Sequence, residues 1–185
     1  ADGDSPCVKM HTENLAVARK YFTLLRKTFN IRAEVSVRKS REVRFCSVIV
    51  SKDPEARRLL GETCLLDEDG NVSECMSPMH HRLLRQNCCR RAFIRGAFLA
   101  VGSVSDPKKS YHFEIVCTAP EKARQLQELL ASYDVDAKVV LRKRHYVVYI
   151  KEGSQIVELL GLMGAHISLM QLENVRIVKE MRNSV

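Results

Sequence analysis

Two short basic segments are the residues of this sequence best suited to binding an anionic partner. Lys39-Ser40-Arg41-Glu42 and Arg142-Lys143-Arg144 each lie between two segments in which apolar and polar residues alternate. Alternation with a period of two predicts β-strands, so each basic segment is predicted to form the turn of a hairpin. Lys and Arg side chains at such turns would project into solvent, where they can reach the phosphates of a nucleic acid.

The composition of the chain favours the same kind of partner. Among 185 residues, 30 are Lys or Arg and 22 are Asp or Glu, which gives a formal net charge of +8. This excess suits a nucleic acid, a membrane surface or an acidic protein and does not distinguish among them. No segment approaches the ~18 consecutive apolar residues of a transmembrane helix, and the N-terminus carries no signal peptide. We therefore expect a cytoplasmic protein that does not act in a membrane.

The cysteines and histidines form no recognisable catalytic or metal-binding pattern. Seven cysteines are scattered without a CxxC pair, and only Cys88 and Cys89 are adjacent. The odd number argues against a secreted disulfide scaffold, and the spacing argues against structural zinc. His80 and His81 lack the HxxxH spacing of a metal-binding helix. Surface histidines and buried structural cysteines are the interpretation we adopt, and no metal, cofactor or catalytic residue is expected.

The same order of elements is predicted twice along the chain. The first copy, 1–66, is expected to contain a strand at 7–11, a helix at 15–29, strands at 31–38 and 43–50, and a helix from Asp53-Pro54. Residues 67–87 are predicted to be a linker. The second copy, 88–165, is expected to contain a helix at 88–101, a strand at 110–117, a helix from Pro120, strands at 136–142 and 145–151, and a helix from Gly153. A final helix, 166–183, has no counterpart.

The two copies also match in sequence. Phe29-Asn30-Ile31 corresponds to Tyr133-Asp134-Val135, and Leu59-Leu60 corresponds to Leu159-Leu160. The interval between matching residues shortens along the chain, which predicts that the second hairpin is the tighter one. A repeat of this length predicts an α+β protein built from two related αβαββα units with pseudo-twofold symmetry and antiparallel sheets.

The leading helix of the second copy carries a recognisable motif. Residues 94–102, Ile-Arg-Gly-Ala-Phe-Leu-Ala-Val-Gly, resemble the LAGLIDADG motif of homing endonucleases, and Ala1-Asp2-Gly3 resembles the tail of its first copy. Residues 91–116 and 172–185 are similar to the bacterial WhiA family, also called DUF199. This second resemblance covers almost the whole chain and is more specific, because the segment 172–185 is not found in plain LAGLIDADG proteins.

The resemblance implies an arrangement that the residues alone do not give. Two motif helices would pack side by side on the pseudo-twofold axis, with Gly96, Ala100 and Gly102 at the repeat interface, and the two sheets would form a saddle over duplex DNA. The first motif helix would precede residue 3. WhiA proteins regulate transcription in sporulation and cell division, and they carry a helix-turn-helix domain that we would expect to follow residues 166–185.

One departure from the endonuclease pattern argues against catalysis. Each motif helix of the nucleases ends in a carboxylate that holds a divalent metal. The corresponding positions here are Asp2 and Val101. An aliphatic side chain cannot coordinate a hard cation or orient a water molecule. We therefore expect a protein that is not an enzyme.

The outward faces of the two hairpins are the predicted DNA-binding surface. If helices cover the apolar face of strands 31–38 and 135–142, the alternate residues face outward. The predicted DNA-binding residues are Arg32, Arg38, Lys39, Arg41, Arg44, Lys138, Arg142, Lys143 and Arg144. The alternative is an ordinary solvated face, and Glu34 and Asp136 weaken its positive field. Arg90 and Arg91, at the start of the leading helix, are expected to be solvated.

Two functions remain open at this point. The first is a monomeric DNA-binding or scaffold domain of a WhiA-like regulator located at the bacterial nucleoid. The alternative is a domain that binds protein, which would position the helix-turn-helix domain or contact the transcription machinery.

Overall fold

The computed structural model describes residues 6–40, 43–66, 69–72 and 82–183. The chain divides into two compact units, Ala1–Glu74 and Cys75–Val185. None of the helices in these described ranges is both long and apolar enough to cross a membrane. Each unit is built from an antiparallel sheet and helices that pack on it, so the predicted α+β class with antiparallel sheets is confirmed.

The first unit contains three strands and two helices among its described residues. In chain order they are β1 (Val8–Thr12), α1 (Leu15–Phe29), β2 (Glu34–Ser40), β3 (Val43–Val50) and α2 (Asp53–Glu62). The strands form one sheet in the order β1-β3-β2. Buried Val48 and Val50 of β3 pack with Leu25 of α1 and Leu59 of α2, so both helices lie on the same face of the sheet.

The second unit repeats this order with additional elements at both ends. In chain order they are α3 (Asn87–Val101), β4 (Gly102–Val104), β5 (Phe113–Cys117), α4 (Pro120–Ala131), β6 (Lys138–Arg142), β7 (His145–Ile150), α5 (Gly153–Leu162) and α6 (His166–Asn183). A short 3₁₀ helix, Arg82–Leu84, precedes them. The sheet order is β4-β5-β7-β6. Its core combines Ile115 and Val148 with residues from all four helices, such as Ile94 of α3 and Leu172 of α6.

The strand registers show that the repeat is structural. Val8 pairs with Val50 in the first sheet, and their counterparts Phe113 and Ile150 pair in the second. The hairpins correspond in the same way, since Glu34 pairs with Ile49 and Lys138 pairs with Tyr149. The first hairpin continues to the pair Ser40 and Val43, and the second ends at Arg142 and His145. The second hairpin is therefore shorter, as the interval between the copies indicated.

The helix ends repeat as well. After α2, the amides of Thr63, Cys64 and Leu65 donate to the carbonyls of Leu59, Gly61 and Leu60 at 3.0, 3.0 and 2.8 Å. After α5, the amides of Met163, Gly164 and Ala165 donate to Leu159, Gly161 and Leu160 at the same three distances. Cys64 and Gly164 share a left-handed backbone, with φ of 54° and 73°. Both helices therefore end with the same hydrogen bonds and the same left-handed position, which agrees with a duplication.

The strands differ from the predicted pattern in several places. Those predicted at 110–117 and 136–142 begin only at Phe113 and Lys138. Ile31–Ala33 are not part of β2, because Asn30 adopts φ of 54° at the end of α1 and directs buried Ile31 into the core before the strand begins. Helices do not cover the apolar face of each hairpin at the sheet edges. Val37 and Leu141 are each 58% exposed, because β2 and β6 are edge strands.

Candidate nucleic-acid interface

The first sheet has one face that its helices leave open. Side chains alternate across a strand, and residues paired in an antiparallel register lie on the same face. Val48 and Val50 face α1 and α2. The residues that alternate with them along β3, and the residues of β1 and β2 paired with those, form what we call the first open face. Its members are Lys9, His11, Glu34, Ser36, Arg38, Phe45, Ser47 and Ile49. This face carries two cationic side chains and one carboxylate.

The second sheet has a matching surface, which we call the second open face. Ile115 and Val148 face the helices, so the residues of opposite parity point away from them. Its members are Ser103, Glu114, Val116, Lys138, Val140, Arg142, His145, Val147 and Tyr149. Arg142 corresponds to Arg38 of the first repeat, since Arg142 pairs with His145 and Arg38 pairs with Phe45.

The structure places the predicted DNA-binding residues in three groups. Arg38, Lys138 and Arg142 are exposed on the open faces. Lys143 and Arg144 are exposed in the turn of the second hairpin, where Lys143 has φ of 56°. The exposed residues Arg32 and Lys39 form the third group. Arg32 precedes β2, and Lys39 lies on the same side of the sheet as the residues that the helices cover.

Two further predicted residues cannot be assigned a side-chain position. Arg41 lies outside the described residues. Arg44 lies in β3, opposite Lys39, and its side chain is also outside the description. Every predicted residue whose side chain is described is exposed, and the role of these residues in DNA binding remains a prediction.

A carboxylate lies at the centre of the second open face. Glu114 Oε2 accepts hydrogen bonds from His112 Nε2 at 2.9 Å and from an Arg142 terminal nitrogen at 3.2 Å. Its other oxygen accepts from the Ser103 hydroxyl at 3.2 Å. The hydrogen bond from His112, with that from Ser103 and the charge of Arg142, holds the pKa of Glu114 below its ordinary value, although partial burial opposes this. Glu114 is therefore ionised at neutral pH and engaged by three donors.

Tyr149 adds an aromatic surface to the same face. Its ring stacks on His112, with centroids 5.9 Å apart and an angle of 25° between the planes. Lys151 Nζ lies 5.6 Å from the centre of the Tyr149 ring, which is within the range of a cation–π contact. A cavity of about 330 Å³ at this edge is lined by Lys138, Tyr149 and Lys151 together with other residues. Of these residues only Lys138 was predicted from the sequence, although the period of two along 145–149 could have placed Tyr149 on the face of His145.

Helix α3 carries the motif that resembles LAGLIDADG. Gly96 and Ala100 are exposed, and Val101 is 53% exposed at the last position of the helix. A Cβ at Gly102 would lie 2.3 Å from a Phe98 ring carbon and 2.7 Å from the Phe98 carbonyl oxygen. Glycine at position 102 is thus required by a close approach within α3 itself. Asp2 lies outside the described residues.

The arginines at the start of α3 were wrongly predicted to be solvated. Arg90 Nε donates to the Leu84 carbonyl at 2.8 Å. Arg91 Nε donates to the Leu162 carbonyl at 2.8 Å, and its terminal nitrogen donates to the Gly161 carbonyl at 3.2 Å. Carbonyls at a helix end lack partners within the helix, and a cation there also interacts favourably with the helix dipole. Arg91 therefore joins the start of α3 to the end of α5.

The adjacent cysteines were also wrongly predicted to be buried. Cys88 is exposed, its Sγ lies 3.9 Å from that of Cys89, and this contact raises the pKa of the Cys89 thiol. A raised thiol pKa disfavours the reactive thiolate. Within the described part of the chain, no group of three or more His, Cys, Asp or Glu residues could hold a metal ion.

Comparisons with known proteins identify the family of both units. The WhiA N-terminal LAGLIDADG-like domain matches residues 5–66, and the WhiA LAGLIDADG-like domain matches residues 90–182. A relative from Lachnoclostridium phytofermentans named "Probable cell division protein WhiA" is 51% identical over 100% of this chain. A relative of the same name from Alkaliphilus metalliredigens is 40% identical over 96% of it. The chain spans 59% and 57% of the lengths of these relatives.

Solved structures share the fold. The full-length DUF199/WhiA from Thermatoga maritima has a TM-score of 0.70 at 18% identity and covers 97% of this chain and 55% of its own. The homing endonuclease I-DmoI, crystallised with DNA and Mn, has a TM-score of 0.55 at 14% identity and covers 85% of this chain and 80% of its own. At these identities the structural likeness shows the fold alone. The domain matches and the sequence relatives show that the chain belongs to the WhiA family, with a LAGLIDADG-like fold.

Proposed function

We propose that this chain is a non-enzymatic domain of a bacterial transcription regulator and that it binds double-stranded DNA through its two open faces and hairpins. The observation that carries the proposal is the position of Arg38, Lys138 and Arg142 on faces that the helices leave open, beside the exposed turn Lys143-Arg144. A regulator of this kind, acting in sporulation or cell division, would be located at the nucleoid.

The chemistry of these residues fits the phosphates of a duplex. Each phosphate contact made by Lys or Arg releases condensed counterions, so affinity from this source falls steeply with salt. The formal net charge of +8 adds a long-range attraction that speeds encounter with DNA. Phosphate contacts position a protein on the duplex and carry little sequence information. The basic residues therefore support DNA affinity more directly than they support specificity.

The proposed domain organisation follows from the repeat. Residues 1–66 and 88–165 would be the two LAGLIDADG-like repeats, 67–87 the linker, and 166–185 the helix that leads to a helix-turn-helix domain. Gly96 and Ala100, which the LAGLIDADG resemblance would assign to the repeat interface, are exposed small residues on α3. Gly102 would join this interface in addition to its contact within α3.

The absence of cleavage activity is the second part of the proposal. By the LAGLIDADG resemblance, Val101 would correspond to the second motif carboxylate of a nuclease, and its aliphatic side chain provides no ligand for Mg²⁺ or Mn²⁺. Two-metal cleavage needs anionic groups that hold both metals close together. Incubation of supercoiled plasmid with the chain and Mg²⁺ or Mn²⁺ is expected to give no specific cleavage. Specific cleavage that Asp2→Asn abolishes would contradict the proposal.

DNA binding is tested directly by titrating a labelled duplex of random sequence with the chain at several salt concentrations. We expect binding at about 50 mM salt and a steep loss of affinity by about 200 mM. Binding that does not respond to salt would contradict a phosphate-based mechanism. The salt series therefore distinguishes electrostatic binding to DNA from a nonspecific apolar interaction.

A protein partner is the second candidate function, and the surface of α6 supports it. Ile167, Met170 and Met181 are 78%, 60% and 66% exposed on this helix, at spacings that bring them to one side. An exposed apolar stripe is typical of a surface that another protein covers. Under this alternative the domain would position a helix-turn-helix domain or contact the transcription machinery. Failure of the chain to bind duplex at about 50 mM salt would favour it.

A further inference from the structure

Glu114 is an unexpected residue on a surface proposed to bind DNA. A carboxylate on such a face repels phosphates, and a long-range electrostatic argument predicts that it weakens binding. The Glu114 side chain is nevertheless 21% exposed, and it is held by hydrogen bonds from Ser103, His112 and Arg142. Three donors on one carboxylate indicate a side chain whose orientation is fixed, and they suggest that its role lies in what it holds.

The group that Glu114 holds is the guanidinium of Arg142. In the sheet order, β7 lies between β5 and β6, so the Arg142 side chain extends across β7 to reach Glu114. The contact uses one terminal nitrogen at 3.2 Å. A guanidinium carries five N–H donors in a planar fork, so the others remain free to donate elsewhere. Fixing the side chain before binding also reduces the rotamer entropy that is lost on binding.

The first repeat lacks this arrangement at the corresponding positions. Arg38 is the counterpart of Arg142, and the register places Lys9 where the second repeat has Glu114. A lysine cannot accept a hydrogen bond from an arginine. The carboxylate of the first open face, Glu34, instead accepts a hydrogen bond from the Ser51 hydroxyl at 2.8 Å. The two open faces therefore differ in how they hold equivalent arginines.

We propose that Glu114 is a positioning residue that orients Arg142 to read a guanine base edge, so that the second open face supplies base discrimination and the first supplies mainly affinity. The inference rests on the DNA-binding function proposed above. An oriented arginine fork matches the O6 and N7 acceptors that guanine presents in the major groove, and such a contact discriminates strongly against other bases. Phosphate contacts by the other basic residues do not require this orientation.

Two matched substitutions test the proposal, because each removes one carboxylate from an open face. Glu114→Gln replaces two acceptor oxygens by one, so its NH₂ group would face one of the three donors. Glu34→Gln removes the same charge in the other repeat. Preferred duplexes would be selected from a randomised pool with the unaltered chain, and their affinity compared with that of a scrambled duplex. Both variants should bind the scrambled duplex more tightly, and only Glu114→Gln should lose selectivity, by about tenfold.

Arg142→Lys tests the same contact from the other side, since it keeps the charge and removes the fork. It should lower selectivity as much as Glu114→Gln does, and the double variant should lose little more. The rotation of the Arg142 guanidinium, followed by NMR without DNA, should be faster in Glu114→Gln and unchanged in Glu34→Gln. Equal selectivity of both carboxylate variants, or unchanged guanidinium rotation, would overturn the inference alone. Failure of the unaltered chain to bind any duplex would overturn the proposed function together with it.

Discussion

Removing the two basic residues at the turn of the second hairpin gives the most quantitative prediction. Lys143 and Arg144 are exposed and adjacent, and they lie between the last residue of β6 and the first of β7. Alanine at both positions leaves the core of the second unit intact, because neither side chain belongs to it. Any change in duplex binding by Lys143→Ala/Arg144→Ala can then be attributed to lost contacts with phosphate.

The magnitude follows from counterion release. Each phosphate contact contributes about 0.9 to the slope of log affinity against log salt, so losing two lowers the slope by about 1.8. If the variant and the unaltered chain have equal affinities when extrapolated to about 1 M salt, the variant should bind about 60-fold more weakly than the unaltered chain at about 100 mM salt. When the salt rises from about 50 to about 200 mM, the unaltered chain should lose about twelvefold more affinity than the variant, because it makes the two additional phosphate contacts.

The assay is a fluorescence anisotropy titration of a random-sequence duplex across this salt range. The control variant, Arg19→Ala/Arg124→Ala, removes the same charge from exposed positions on α1 and α4, which cover the other faces of their sheets. It should keep the slope of the unaltered chain. An unchanged slope in the turn variant, or an equal reduction in the control, would refute the assignment of this turn to DNA binding.

Three further predictions concern the stability of the chain, measured by denaturant unfolding. Gly102→Ala should lower the free energy of unfolding by about 1–3 kcal/mol, because the new Cβ would lie 2.3 Å from an aromatic ring carbon, and Gly96→Ala, with nothing within 4 Å, should not destabilise. Asn14→Ala should cost about 1 kcal/mol by removing the cap of α1, and Ala119→Ser should stabilise α4, whose N-cap has no side-chain hydrogen bond. The lowered pKa of Glu114 means that its stabilisation is present above the unfolded pKa of about 4.3 and is lost as the pH falls through the folded pKa. Glu114→Gln should remove this part of the acid dependence, and an unchanged acid profile would contradict it.

The sequence predicts local structure best where a short-range rule decides it. Pro120 begins α4 as expected, because a proline at the first helical position leaves no required donor unpaired. The repeat in the sequence predicts the repeat of registers between the two sheets. The helix expected from Asp53-Pro54 does begin at Asp53, but its N-cap residue is Lys52, which has no side-chain hydrogen bond to the helix. The first residue of a helix depends on the backbone dihedral angles of a single residue, and the pattern of apolar residues does not determine it.

The features that the sequence could not predict depend on residues far apart in the chain. Strand β4 has three residues and exists because it pairs with β5, so 102–105 alone indicated only the end of a helix. Arg91 reaches carbonyls at the end of α5, some 70 residues later. The contact between Glu114 and Arg142 depends on the order of three strands. None of these follows from spacing or periodicity, because each is decided by tertiary packing.

The affinity of the unaltered chain for a random-sequence duplex at about 50 mM and about 200 mM salt tests the central claim most directly. If the six exposed basic residues of the open faces and the second hairpin each contact a phosphate, affinity should fall about 2000-fold over this range. These residues are Lys9, Arg38, Lys138, Arg142, Lys143 and Arg144. No binding at about 50 mM salt, or binding whose strength is the same at both concentrations, would contradict the account.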